Sequence, residues 1–241
     1  MVFDGPVKKR NPKATPHTTQ NMNVAPPSTP RMILVFLDIN IFRDNDQIGQ
    51  SRAGEKKHFG RGPFSFSFWF RTTTTNRILT FMAKRKGGLS DGWVMHSLDD
   101  HSLFFYAAGC ATTKAPAPNS RDGQWHHVAA VREGDQLALY LDSEPAGTGG
   151  NRCNFADRYP IRIGMDADVY QGWHFSGDMA EVHFYNRALT AAEVAEEWNG
   201  GKPLTRAVAG GGLVAGYHLG EGNAAAEDFS GHGHAGEVVR Q

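Results

Sequence analysis

Short apolar runs separated by turn residues recur along most of this chain, and they limit it to a strand-built fold. Phe64–Phe70 (FSFSFWF), Ile78–Arg85, Asp91–Met95, Leu103–Tyr106, Gln136–Asp142 and Ile161–Gly164 are each four to eight residues long. Between them stand Lys86-Gly87-Gly88, Asp122-Gly123, Glu133-Gly134-Asp135 and the cluster Gly147–Asn151. Apolar runs of this length at short intervals, punctuated by Gly, Asp and Asn, predict an all-β fold, an antiparallel two-sheet sandwich or a jelly roll. One segment, 190–198, carries helix signals.

That helix belongs to the most informative stretch, residues 176–198. Met179, Glu181, His183 and Tyr185 alternate with Ala180, Val182 and Phe184, which reads as a strand with one apolar face. Asn186-Arg187 forms a turn. Thr190 then opens a helix, with Glu193 three residues on to complete a capping box. Val194 and Trp198, four apart, share one helix face. Glu193, Glu196 and Glu197 read as its solvated side.

Phe175–Leu189 resembles the closing strand of the laminin-G-like, concanavalin A-like lectin/glucanase family, F-x-G-D-I-A-E-V-x-x-Y-N-R-A-L followed by S/T-x-x-E. Upstream, Phe64–Phe70 resembles the family's F-T-I-S-F-W-V strand. Asp122-Gly-Gln-Trp-His-His-Val-Ala129 is similar to its D-G-x-W-H-H-V-A, and Ile161-Arg-Ile-Gly164 to its I-x-I-G. The resemblance covers about residues 58–199. The enzymes sharing this sandwich use a strand motif E-x-D-x-E, whose alternate carboxylates face one cleft. This chain has no such motif, so the resemblance implies the non-catalytic branch.

The ends differ in kind. Residues 1–31 form a Pro-rich basic arm with little apolar content, expected to be extended and to dock on a protein partner through Lys8, Lys9, Arg10, Pro26 and Pro27. The sandwich is expected over 32–199, and a Gly-rich flexible linker over 200–212. Leu213–Gly222 and Glu227–Gly236 resemble the family's opening motif, L-V-A-Y-W-x-L-D-E-G then D-S-S-G-N-G. Here that motif comes last, so 213–241 is expected to complete the same sandwich, or else to add a strand to a neighbouring chain.

Lys+Arg and Asp+Glu both number 25, so no global charge favours nucleic acid or an anionic membrane surface. Met32–Leu37 is too short an apolar run to span a bilayer or to form a comfortable signal-peptide core. The family suits a periplasmic or extracellular setting. Cys110 and Cys153 allow two readings: a pair of free, partly buried thiols, taken as the first expectation, or one disulfide between two loops.

Trp125-His126-His127 reads as strand, with Trp125 and His127 on one face and His126 on the other. His232 and His234 stand in a Gly-rich loop. The resemblance implies one Ca²⁺ at a sandwich edge, held by oxygen ligands in loops. Asp178, Asp228, Asp166 and Asp168 are its candidate ligands. Trp93, Tyr170 and Trp173 are candidate aromatics for stacking on a sugar. The functional expectation is a non-catalytic interaction module, an accessory subunit tethered into a protein assembly by its termini. The alternative is a calcium-dependent lectin-like module that binds glycan.

Overall fold

The computed structural model describes residues 36–39, 59–86, 92–155, 159–166, 172–219 and 227–239. In chain order the elements are β1 (Phe36–Ile39), β2 (Phe64–Arg71), β3 (Leu79–Lys84), β4 (Trp93–Ser97), β5 (Leu103–Ala107), β6 (Ala111–Ala115), β7 (His126–Glu133), β8 (Gln136–Leu141), β9 (Glu144–Gly150), β10 (Ile161–Ile163), β11 (Asp178–Tyr185), α1 (Ala191–Trp198), β12 (Leu213–Tyr217) and β13 (Glu237–Val239). The strands form two antiparallel sheets, a seven-stranded one in the order β13-β1-β10-β3-β4-β5-β6 and a six-stranded one in the order β12-β11-β2-β7-β8-β9. The architecture is the two-sheet sandwich that the alternating runs predict.

Strand β2 shows why. Phe64, Phe66, Phe68 and Phe70 recur at period 2, so all four point into the space between the sheets and are fully buried. There Phe66 stacks on Trp93 with ring centroids 5.4 Å apart, and Trp93 stacks on Phe105 at 5.7 Å. The alternate residues Ser65, Ser67 and Trp69 face outward.

The alternation expected for β11 slips once. A bulge lies between Ala180 and His183, and Glu181 adopts φ +46°, a left-handed conformation unusual for a side chain of this kind. The extra residue moves Met179 into the core with Val182 and Phe184. Glu181, His183 and Tyr185 stay on the outer face.

Residues 213–239 add a strand to each sheet. β12 pairs with β11, Gly216 opposite His183, and β13 pairs with β1, Leu37 opposite Val238. Residues 228–230 then cap the β12 edge: Phe229 donates its N–H to Gly216 O, and Ser230 its hydroxyl to Val214 O. Edge strands left open invite pairing with other chains, and these bonds occupy that edge.

Three expectations are corrected here. Gly147–Asn151 is not a turn cluster, because Gly147, Gly149 and Gly150 lie in β9. The glycines let β9 approach β6: a Cβ at Gly147 would lie 2.9 Å from Lys114 O, and one at Gly149 2.4 Å from Thr113 Oγ1. At this same edge Cys110 and Cys153 form a disulfide, with Cα atoms 5.4 Å apart. They are not free thiols, because the turn before β6 meets the segment after β9, where Ala111 bridges to Asn151. The linker 200–212 also does more than connect: Leu204 and Val208 are buried, packed with Val194, Leu189, Tyr185, Ala129 and Val131. The basic arm 1–31, with Lys8, Lys9, Arg10, Pro26 and Pro27, lies outside the described residues.

Candidate functional site

Each sheet has an outward face, and the two faces are finished differently. On the six-stranded sheet α1 lies across the strands. Thr190 caps the helix and exchanges hydrogen bonds with Glu193 in the expected box. Val194 is buried beneath it and Trp198 half-buried. Glu197 is 1% exposed, which corrects its reading as a solvated residue: it sits three positions from Val194 and shares that inward face.

Glu197 is the hub of a buried polar network. Its Oε2 accepts from Ser67 Oγ at 3.0 Å and from His183 Nδ1 at 2.8 Å, and its Oε1 accepts from the Tyr185 hydroxyl. The Tyr185 oxygen in turn accepts the Val208 N–H at 3.2 Å, tying the linker to the helix. Burial opposes the charge on His183, but its carboxylate neighbours outweigh that and push its pKa up to about 9. His183 Nε2 stands 3.8 Å from Glu181, outside hydrogen-bond range, so Glu197 is the carboxylate that accepts a hydrogen bond from the imidazole. Burial likewise opposes charge on Glu197, yet the His183 bond keeps its carboxyl below the ordinary 4.5. His127 lies beside Trp69, and burial pushes it down to about 4, so it is neutral. Outside the helix, Glu181 bonds His218 at 2.8 Å, and Phe229 stacks on that imidazole at 4.5 Å.

This constellation holds parts together. Ser67 donates to a carboxylate rather than to an imidazole, so it lacks the general base a nucleophilic serine needs. Ser67, His183, Tyr185 and Glu197 are sealed under α1, while Glu181, His218 and Phe229 lie outside it.

The seven-stranded sheet presents its outer face differently. In β5, Leu103, Phe105 and Ala107 are buried in the core, while Phe104 and Tyr106 project outward and are partly exposed. Their rings are nearly parallel, 12° apart, with centroids 6.3 Å apart. Register places His96 of β4 opposite Phe104 on one side and Lys114 of β6 on the other. Tyr106 stands opposite Thr112, and an open depression of about 290 Å³ continues past it, lined by Gly109, Cys110, Thr112 and Gly150. Lys114 Nζ donates to Asp100 Oδ2 at 2.6 Å from the β4–β5 turn. Trp173 is half-buried and meets His96 edge-on at 5.6 Å. His96 bonds the Thr80 hydroxyl at 3.1 Å, and burial pushes its pKa down to about 4.

The residues nominated from sequence are scattered. Trp93 is 0% exposed and stacked between Phe66 and Phe105, so it cannot meet a ligand; its phase in β4 turns it inward. Trp173 borders the aromatic row, and Tyr170 lies outside the described residues. Both oxygens of Asp166 are engaged by the Arg85 guanidinium in a buried fork. Asp178 accepts two bonds from Arg71. Each oxygen of Asp228 accepts two donors, from Gly216, Ser230 and His234. Asp228 reaches Gly216, opposite His183, five positions and so roughly 15 Å along β11 from Asp178. Asp166 follows β10 in the other sheet, and Asp168 lies outside the described residues. The three described carboxylates do not converge, and both oxygens of Asp166 and of Asp228 already accept donors, while both Arg71 bonds to Asp178 fall on Oδ2. Among the described residues no group of three or more His, Cys, Asp or Glu side chains is arranged to hold a metal.

A family model for the concanavalin A-like lectin/glucanases superfamily, of the third laminin G type, matches residues 46–195. The chain belongs to this superfamily. As a laminin G-like domain it is 29% identical over 175 residues to human pentraxin-4, covering 63% of this chain and 36% of that protein. It is 27% identical over 111 residues to the mouse basement membrane-specific heparan sulfate proteoglycan core protein, covering 45% of this chain and 3% of that one. It therefore spans well under half the length of either relative. Among solved structures, a proposed carbohydrate binding protein from Bacteroides ovatus superposes with a TM-score of 0.56 at 16% identity, over 85% of this chain and 55% of that one. At that identity the likeness is one of fold.

The sequence reading did not single out Phe104, Tyr106, Lys114 and Asp100, which this outer face brings together. The signal was present. In LFFYA the core positions are Leu103 and Phe105, and alternation leaves Phe104 and Tyr106 facing out once that phase is fixed.

Proposed function

We propose that this laminin G-like domain is a non-catalytic carbohydrate-binding module whose ligand lies on the outer face of β4, β5 and β6. The observation that carries this reading is the pair of partly exposed, near-parallel rings of Phe104 and Tyr106. Aromatic rings offer large apolar faces to the C–H faces of sugars. Lys114 and Asp100 stand beside them as donor and acceptor for hydroxyls. The depression past Tyr106 gives room for a second sugar unit. The superfamily contains lectins, which supports the reading. The Cys110–Cys153 disulfide suits an oxidising compartment, where glycans are displayed.

The reading is tested by native affinity electrophoresis of the whole chain in gels containing soluble polysaccharides. Retardation by at least one polysaccharide is expected, and Phe104→Ala should weaken it about tenfold, the scale of losing a central aromatic anchor. Unchanged retardation of F104A would sink this site. Tethering into a protein assembly rests on the two termini: residues 1–31 lie outside those described, and β12 and β13 of the C-terminal segment pair with β11 and β1 of this same chain.

A further inference from the structure

We infer that the aromatic face selects neutral, hydroxyl-rich glycans over anionic ones, and that Asp100 sets this preference. The inference rests on the proposed carbohydrate-binding reading. It follows from how the charges around Phe104 and Tyr106 are disposed.

Among the described residues Lys114 is the exposed cation directly beside the rings, its side chain 49% exposed, and Asp100 meets it at 2.6 Å with 51% of its own side chain exposed. Both can therefore touch a ligand, and their charges cancel. Arg85 is buried and forked onto Asp166. Arg162 of β10 stands three strand spacings from β5, about 14 Å, and donates to Arg85 O. Arg121 is buried and spends its donors on Ser97 Oγ and on the carbonyls of Thr74, Arg77 and Leu98. His96 is neutral.

Asp100 is also held in place. The Arg121 bond fixes Leu98 O, Leu98 N donates to Ser102 O, and Ser102 N donates to Asp100 Oδ1 at 3.0 Å. The hydrogen bond from Lys114 keeps the Asp100 carboxyl at about 2, so Asp100 stays charged across the physiological range. A carboxylate or sulfate reaching Lys114 must displace Asp100 or lie against its negative charge, and like charges at such range repel. A sugar hydroxyl meets no such penalty, since it donates to Asp100 while a neighbouring oxygen accepts from Lys114.

The test compares retardation of the whole chain in gels of neutral β-glucan, galactan and galactomannan with gels of anionic polygalacturonate and heparin. Wild type should be retarded by a neutral polymer and at least about fivefold less by either anionic one. Asp100→Asn leaves Lys114 uncompensated and should raise anionic retention about fivefold at low salt, an effect that fades as salt screens it. Should D100N fail to fold, judged by its melting curve, Lys114→Met asks the converse: neutral retention falls and anionic retention stays low. Stronger retention of wild type by polygalacturonate or heparin would overturn the inference while leaving carbohydrate binding standing. So would an unchanged preference in D100N. Retention by no polymer would overturn both.

Discussion

The two sheets carry the same period-2 alternation, yet their outward residues end in opposite environments. On the six-stranded sheet Ser67, His183 and Tyr185 are buried beneath α1 around Glu197. On the seven-stranded sheet Phe104 and Tyr106 remain partly exposed beside a solvated ion pair. The usual sense of the pattern is reversed: polar outward residues are sealed in, and aromatic ones are left out. The covered face acts as a second core, and the open face is the one on which the proposed ligand would lie. Whether an outward residue is structural or functional thus depends on what the chain later lays over it.

This contrast predicts that substitutions on the covered face change stability without changing binding, and that the open face does the reverse. The largest effect should come from Glu197→Ala, which strands the buried His183 charge. Its cost is about 3–5 kcal/mol in chemical denaturation, with ligand retention of the folded fraction unchanged. Replacing Cys110 and Cys153 by serine removes the staple between the sheets and should cost about 2–4 kcal/mol.

Stability should also peak near pH 6.5. His183 is raised to about 9, so its contribution is complete below 6.5 and is lost as pH rises through 9. His96 and His127 are lowered to about 4. Their unfolded forms take up protons between 6.5 and 4 while the folded forms do not, so stability falls as pH drops through that window. The alkaline limb should flatten in His183→Gln, and the acid limb in His127→Gln; urea midpoints across pH would show this, and a flat wild-type profile would contradict it. Thr190→Ala removes the helix cap and should cost about 1 kcal/mol. The smallest stability effect belongs to Phe104→Ala, within about 0.5 kcal/mol, although its binding effect is the largest of the set.

Much of the fold was legible because it is local. The Phe64–Phe70 alternation, the Asp122-Gly123 turn and the Thr190–Glu193 box each declare themselves within a few residues. Glu197 was not legible: its partners Ser67, His183 and Tyr185 come from other strands, and in a helix read alone it resembles any solvated glutamate. Gly147 and Gly149 read as part of a turn because β6, whose closeness requires them, is over thirty residues away in sequence. Trp93 was nominated as an exposed aromatic for a simpler reason, since a one-residue choice of phase decides which side of a strand faces the core.

The most direct test of the account is to map a bound oligosaccharide by backbone NMR perturbation on the labelled chain. The account predicts the largest shifts at His96, Phe104, Tyr106 and Lys114 and little change along α1. Shifts centred instead on α1, His218 or Phe229 would contradict it and move the binding site to the other sheet.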